Sequence, residues 1–449
     1  MNSGGRSAAS RVSSERIARL LGRNASRAGA TVGKTTDRGG GSDSGAHNSS
    51  RASGDPADLE EAQGPAGTFL ARRHVFERDT LHGSWRLGEV QGLDARAFSL
   101  LCADETLAQL NPERAVYLDT ETTGLSGGAG TYVFMVGLGW FDEGVFRVWQ
   151  GFLGGPEQER ALLAETARRI AAAESVVSFF GKSFDRHRLE DKMRIVGVDS
   201  PFINRPHLDL YHPLRRVNGG QFEDNRLQTL EKGLLGLQRE QDLPGCLAPA
   251  AWFDYLGGRE HHLEGVFHHN LLDVLSLVAL TAHLGLTLSE RRPLAGPGSQ
   301  ALGGCAGRRA WALGRAFWDA GQRAEALDWM GRALTRFEEA REEVRERRWR
   351  FAECLRLEGR DEAARLALEE LTLGNTARDA CALLACEALA KLHEHGRRDL
   401  DAAAHWSREA LALRAGLAPR ASGVPTPGSL SGRLKRLERK LCAKAEPSN

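Results

Sequence analysis

Two carboxylates separated by one residue, Asp119 and Glu121 in the segment Asp119-Thr120-Glu121-Thr122-Thr123-Gly124-Leu125, carry the strongest chemical signal in the chain. On a β-strand, residues i and i+2 project to one face, so the two acids converge. Side by side at the end of a buried strand they repel, and each raises the other's pKa unless a cation intervenes, which makes a hard divalent ion the economical partner. An all-oxygen donor set selects magnesium or manganese. Alone, an Asp-x-Glu tripeptide is more often a solvated strand end. Its setting, at the opening of a three-strand pattern and just before a glycine, shifts the balance toward a site.

A third acid, Asp185, closes the run Phe179-Phe180-Gly181-Lys182-Ser183-Phe184-Asp185 and opens a helix. A fourth, Asp273, follows His268-His269-Asn270-Leu271-Leu272. His269 and Asp273 stand four apart and share a helical face, so an imidazole beside a metal-bound carboxylate is a candidate general base. His268 is as near if the helix starts at Asn270, and spacing does not choose between them. Lys182, Arg186, Arg215, Arg216 and Arg226 are candidate phosphate contacts, since a phosphodiester needs cations beyond the metals.

The elements that must position these groups follow from periodicity. Ala115 to Thr120 is a short buried strand, and Tyr132 to Phe141, Asp142-Glu143-Gly144 and Val145 to Phe152 form a hairpin, giving three antiparallel strands. Glu157 to Glu174 is helical, Ser175 to Phe180 is an apolar β-type run, and Phe184 to Val196 is a helix closed by Gly197. Leu208 to Tyr211 is a last strand, followed by helices at Leu227 to Leu235, Ala250 to Leu256 and Leu263 to Leu286. The order predicts an α/β domain over 115–290, a mixed sheet with flanking helices.

Upstream, 1–64 reads as a disordered, low-complexity tail and 65–114 as a lead-in with a helical stretch from Ala95 to Leu110. Downstream of a Pro- and Gly-rich joint, 305–415 is almost purely helical and self-similar. Each unit has a helix ending near a glycine (Gly321, Gly359, Gly396) and a second helix rich in Ala and Leu, at a period somewhat above the roughly 34 residues of tetratricopeptide repeats. This predicts tetratricopeptide-like helical hairpins, and 416–449 a linker with a basic helix.

The bulk properties exclude more than they assign. A net charge of +1 over 449 residues announces no nucleic-acid partner, so any binding track rests on local Lys and Arg placement. Seven cysteines without CxxC or zinc-ligand spacing predict reduced thiols in a cytoplasmic protein. No uninterrupted apolar run of spanning length is expected, and none of the chain is read as membrane-bound.

With Asp119, Glu121, Asp185 and Asp273 in that chain order, the region resembles the DEDD 3′-to-5′ exonuclease superfamily with its ribonuclease H-like fold. It looks more narrowly like the YprB-type ribonuclease H-like domain. The matching segments are Leu-Asp-Thr-Glu-Thr-Thr-Gly-Leu at 118–125, Gly-Lys-Ser-Phe-Asp at 181–185, His-Leu-Asp-Leu at 207–210 and His-Asn-Leu-Leu-Asp-Val-Leu-Ser-Leu at 269–277. The resemblance implies two Mg²⁺ or Mn²⁺ ions held by the four acids, one activating water and one stabilising the leaving 3′ oxygen. It also implies a base five residues before the last Asp if His, or four if Tyr. His268 has the first spacing and His269 the second, and the YprB-type pattern, with its His before the Asn, favours His269. Thr122, Thr123, Lys182 and Ser183 are the implied substrate-binding residues. The chain departs from the motif at Phe180, where Asn is expected, a change that bears on substrate contact rather than on metal. Asp209 is left out of the metal set.

The resulting expectation is a metal-dependent nuclease that trims a single-stranded 3′ end of DNA or RNA, with the helical repeats holding a protein partner. The alternative is a catalytically weak nucleic-acid-binding or scaffold protein acting through its repeats.

Overall fold

The computed structural model describes residues 58–124, 130–218, 220–240, 242–288, 305–335, 341–373, 379–417 and 423–445. Of the predicted tail, residues 1–57 lie outside this set, as does Leu125.

A seven-stranded mixed sheet organises the first part of the chain. In space its order is β1 (Glu60–Gly64), β2 (Gly67–Glu77), β7 (Val145–Phe152), β6 (Val133–Asp142), β5 (Ala115–Thr122), β8 (Ser175–Ser178) and β9 (His207–Asp209). The pairings from β1 to β5 are antiparallel, and β5–β8 and β8–β9 are parallel. Strand β5 shows why the sequence folds this way. Its side chains alternate between two cores on opposite faces of the sheet, Ala115 and Tyr117 in one, Val116 and Leu118 in the other. The β6–β7 hairpin turns at Glu143 and Gly144, both at positive φ (47° and 86°), the pairing of conformations that matches strand twist in a two-residue turn.

Two strands lie upstream of the expected start. Residues 60–64 belong to an edge strand, not to the tail, and β2 pairs with β7 along its length, from Leu70 opposite Phe152 to Glu77 opposite Val145. The expected helix from Ala95 to Leu110 is only α1 (Ala95–Cys102), started by the Asp94 side chain accepting from the Arg96 N–H and ended by Ala103 in the left-handed conformation. A small hairpin of β3 (Leu81–His82) and β4 (Trp85–Arg86) also comes from this segment. The run after β8 stops short as well: Phe179 and Phe180 fall outside the strand.

The flanking helices are α2 (Glu159–Ala172), α3 (Asp185–Val196), α4 (Tyr211–Asn218), α5 (Leu227–Leu230), α6 (Ala248–Leu256) and α7 (Leu263–Gly285). The stretch Leu263–Leu288 is, against expectation, long and apolar enough by composition to cross a membrane. In the fold it is the central helix: Leu263, Val266 and Phe267 lie in one core, and Val274 to Leu284 in the other. Residues 269–273 thus pass between the cores. Two glycines of β6 seat this helix. A Cβ at Gly137 would fall 2.3 Å from Asn270 Oδ1, and one at Gly139 would fall 2.7 Å from Val274 Cγ1.

Beyond the sheet domain, α8 (Cys305–Asp319) and α9 (Arg323–Leu334), α10 (Arg341–Leu357) and α11 (Asp361–Thr372), and α12 (Ala380–Lys391) and α13 (Leu400–Ala415) form helical hairpins, followed by α14 (Pro427–Ala445). Gly321 and Gly359 take the left-handed position between the helices of the first two pairs (φ 78° and 68°); in the third, Arg398 does so in place of Gly396 (φ 55°). Leu313 and Ala316 of α8 are buried with Leu214 and Val217 of α4, so the helical region shares a core with the sheet domain.

Candidate active site

Asp119 and Glu121 lie near the end of β5, opposite Gly137 and Met135 of β6, where the ladder shifts register after Glu121. Because Gly137 lets α7 approach, Asn270 reaches over the sheet and its Nδ2 donates to Asp119 Oδ2 at 2.8 Å. Gln150 of β7 locks that amide by donating to Asn270 Oδ1 at 2.9 Å and to the Phe267 carbonyl at 2.7 Å. Asp185, at the first position of α3, accepts from the Thr120 hydroxyl.

Three of the acids are perturbed by burial and by their acidic neighbours. Burial, then the negative charges of Asp273, Asp185 and Glu121, push the Asp119 carboxyl well above the usual range, and burial, Asp273, Asp185 and Asp242 do the same to Glu121. Burial lifts Asp185 to about 6 against the pull of its Thr120 hydrogen bond, with Asp209 and Asp273 adding to the rise. A buried cluster of hard oxygen donors that resists ionisation is the donor set a divalent cation fits, since the ion supplies the missing positive charge. Among the described residues no three acid or imidazole groups close to ligand distances as they stand. Asp119, Asp185 and Asp273 are engaged instead by Asn270, Thr120 and Arg239.

Arg239, from the segment after α5, is the cation of the site. Its guanidinium, with 5% of the side chain exposed, pairs with Asp273, donates to Glu231 Oε2 at 2.8 Å, and lies 3.1 Å from Asp242 Oδ2. Asp242 also meets His269: Nδ1 lies 2.9 Å from Oδ1 and 3.0 Å from Oδ2. A nitrogen at that distance from a carboxylate carries the proton, which leaves Nε2 unprotonated in the neutral ring, 3.7 Å from Asp273 Oδ2. Burial would raise the Asp242 carboxyl, but the His269 hydrogen bond, the charge of the His269 ring when it is protonated and the charge of Arg239 outweigh it and hold it below its ordinary value. Glu231 is fully buried and accepts from Ser276, which His82 of the β3–β4 hairpin contacts at 2.7 Å. The lead-in segment therefore braces the site from behind.

The helix α7 begins at Leu263, so His268 is rotated off the acidic face and is exposed, while His269 is half-buried beside Asp273. Thr123 accepts from the Tyr132 N–H at 2.9 Å, and Thr122 donates to the Gly124 carbonyl at 3.2 Å, so both hydroxyls are engaged by nearby backbone. Lys182 pairs with Asp104 at 3.2 Å and Ser183 is exposed. Arg186 pairs with Glu190, Arg216 donates to the Leu101 carbonyl, and Arg226 pairs with Asp224, leaving Arg215 exposed on α4. Asp209 is buried and accepts from the backbone N–H groups of Phe180, Lys182 and Tyr211, a loop-organising role.

Phe180 occupies the left-handed region (φ 61°). Asn is among the few non-glycine residues that adopt this conformation readily, which gives the Asn of the expected motif a backbone reason; a bulky side chain there carries strain of about 1–2 kcal/mol.

Arg239, Asp242, Glu231, Asn270 and Gln150 were not legible as site residues. Arg239 and Asp242 lie in an aperiodic polar segment, where only their charge distinguishes them, and Gln150 sits on a strand whose other residues, Arg147 apart, are apolar.

Residues 116–285 match the family model of the RNase_H superfamily. Over 176 residues, 39% of its length, the chain is 36% identical to the uncharacterized protein YprB of Bacillus subtilis (strain 168). The match covers 42% of that relative, so the chain spans less than half of its length.

Proposed function

We propose that this chain is a metal-dependent 3′-to-5′ exonuclease acting on nucleic acid through residues 116–285, a reading supported by the match of that region to the RNase_H superfamily and by its similarity to the YprB relative. One observation carries the reading: strand β5 and helices α3 and α7 bring four acids close enough that Asp119, Glu121 and Asp185 resist ionisation, with His269 alongside. Asp119, Glu121, Asp185 and Asp273 would hold two magnesium or manganese ions, which when bound polarise the phosphodiester and lower the pKa of water. His269 Nε2, its ring oriented by Asp242, takes the proton of the attacking water. Thr122, Thr123, Lys182 and Ser183 would contact the nucleic-acid substrate. The helical hairpins of 305–415 serve as a tetratricopeptide-like platform for a protein partner.

Purified protein incubated with 5′-labelled DNA and RNA oligonucleotides plus Mg²⁺ or Mn²⁺ tests this. A stepwise ladder that disappears in Asp119→Ala and Asp273→Ala supports the exonuclease. The Arg239–Asp273 pair favours a second reading, a nucleic-acid-binding protein with little turnover, in which the guanidinium holds a metal ligand. In that case the wild type retards the oligonucleotides without shortening them.

A further inference from the structure

Beside the acids lies a surface feature that hydrolysis itself does not use. The Phe180 and Tyr211 rings pack edge to face, with centroids 4.9 Å apart and planes at 68°. Both are half-buried, and the exposed His212 ring stands 5.1 Å from Tyr211 and 6.2 Å from Phe180.

The pair is built, not incidental. One buried oxygen, Asp209 Oδ1, accepts the N–H of Phe180 at 2.8 Å and that of Tyr211 at 3.1 Å, so a single carboxylate holds the backbone under both rings. Phe180 keeps its ring there in the left-handed conformation, a position where a smaller polar residue sits with less strain. The next residue runs against the acid cluster, since a Cβ at Gly181 would lie 3.1 Å from Asp185 Oδ2. Arg215, exposed and one helical turn beyond Tyr211 on α4, places a cation on the same side of that helix.

Partly exposed aromatic rings next to a phosphodiester-cleaving site, with a cation one turn away, match the chemistry of a nucleobase and its phosphate. We propose that Phe180 and Tyr211 form a stacking step for a base near the 3′ end of a single strand, with Arg215 contacting the adjoining phosphate. The proposal rests on the nuclease reading of the acid site. Stacking accepts any base, so the step orders the strand without selecting its sequence.

Fluorescence anisotropy with the full chain tests it, using a 5′-fluorescein 12-mer of DNA and of RNA in Ca²⁺, and the same oligomers with each of the last three nucleotides in turn made abasic. Phe180→Asn relaxes the backbone and removes the ring, and Tyr211→Leu is the second variant, with thermal melts of both as a fold check. Each variant is expected to bind the intact oligomer about tenfold more weakly than wild type. One abasic oligomer should weaken wild-type binding by a similar factor, and neither variant should weaken it further. If both variants bind every oligomer as the wild type does, the stacking step is refuted, while loss of cleavage in Asp119→Ala would still stand for the nuclease. If the wild type neither binds nor cleaves any oligomer, both readings fall.

Discussion

His269 and Asp242, twenty-seven positions apart, meet at 2.9 Å and 3.0 Å through one ring nitrogen and both carboxylate oxygens. The contact fixes the plane of the imidazole and turns its other nitrogen toward Asp273. His269→Ala is therefore expected to slow hydrolysis by roughly 10²-fold or more, the contribution of a positioned general base. His268→Ala should leave the rate near wild type, because His268 faces solvent. Asp242→Asn should lower the rate while oligonucleotide affinity stays near wild type, since the amide can present its N–H to Nδ1 and reverse the tautomer. Single-turnover rates on a labelled oligonucleotide check all three, and equal rates for the two histidine variants would remove His269 from the mechanism.

The acid cluster predicts a pH dependence of stability with a definite sign. Asp119, Glu121 and Asp185 hold their protons to higher pH folded than unfolded, so between the two pKa values the folded state binds more protons. Stability from these groups is complete below the unfolded value and is lost as pH rises through the folded one. For Asp185 that window runs from 3.8 to about 6. In EDTA the melting temperature should fall as pH rises across and above this window. Mg²⁺ or Mn²⁺ should restore it at pH above the window and do little below it. Asp119→Asn should both flatten the EDTA profile and shrink the metal response, which differential scanning fluorimetry would register.

Gly137→Ala tests the seat of the central helix. Its Cβ would fall 2.3 Å from the oxygen and 2.7 Å from the nitrogen of the Asn270 amide, which is held on both sides by Gln150 and Asp119. Overpacking of this kind costs about 1–3 kcal/mol, and here it also displaces the group that donates to Asp119. Denaturant titration should show the loss, and activity should fall further than the loss of folded protein explains.

Arg239 is the only cation that contacts Glu231 among the described ion pairs, and Glu231 is fully buried. Arg239→Ala leaves that carboxylate uncompensated and should destabilise the protein by about 3–5 kcal/mol. Arg239→Lys should recover only part of this, because one ammonium cannot reproduce the fork that reaches Glu231, Asp242 and Asp273 together. A Lys variant as stable as wild type in chemical denaturation would show that charge alone suffices.

Much of the fold was legible because local chemistry dictates it. The alternation along Ala115 to Leu118, the turn at Glu143-Gly144 and the stop at Gly197 each constrain the backbone within a few residues, and β5, the β6–β7 hairpin and α3 appear where those signals put them. The two upstream strands were not legible. Residues 60–77 carry Arg72, Arg73 and His74 in the middle of the pattern, and only in the fold does Arg72 bind Glu264 at 2.7 Å and stack over the Phe267 ring. The extent of the segment 95–110 was likewise hidden, because its helix ends at Ala103 by a left-handed turn that no glycine announces.

For the site the division falls along the same physical line. An i, i+2 pair on a strand and an i, i+4 pair on a helix are relations of the backbone's own repeat, so spacing puts Asp119 with Glu121 on one face and makes Asp273 a partner for His269 or, with a later helix start, His268. What engages each acid depends on contacts between segments far apart in the chain, which no repeat encodes. Asn270 reaches Asp119 only because Gly137 lacks a side chain, and Arg239 reaches Asp273 only because the segment after α5 folds back beneath α7. The position of His269 beside Asp273, with His268 facing solvent, belongs to the second kind: it follows from where α7 begins, and that is set by the packing of Leu263, Val266 and Phe267 into the core.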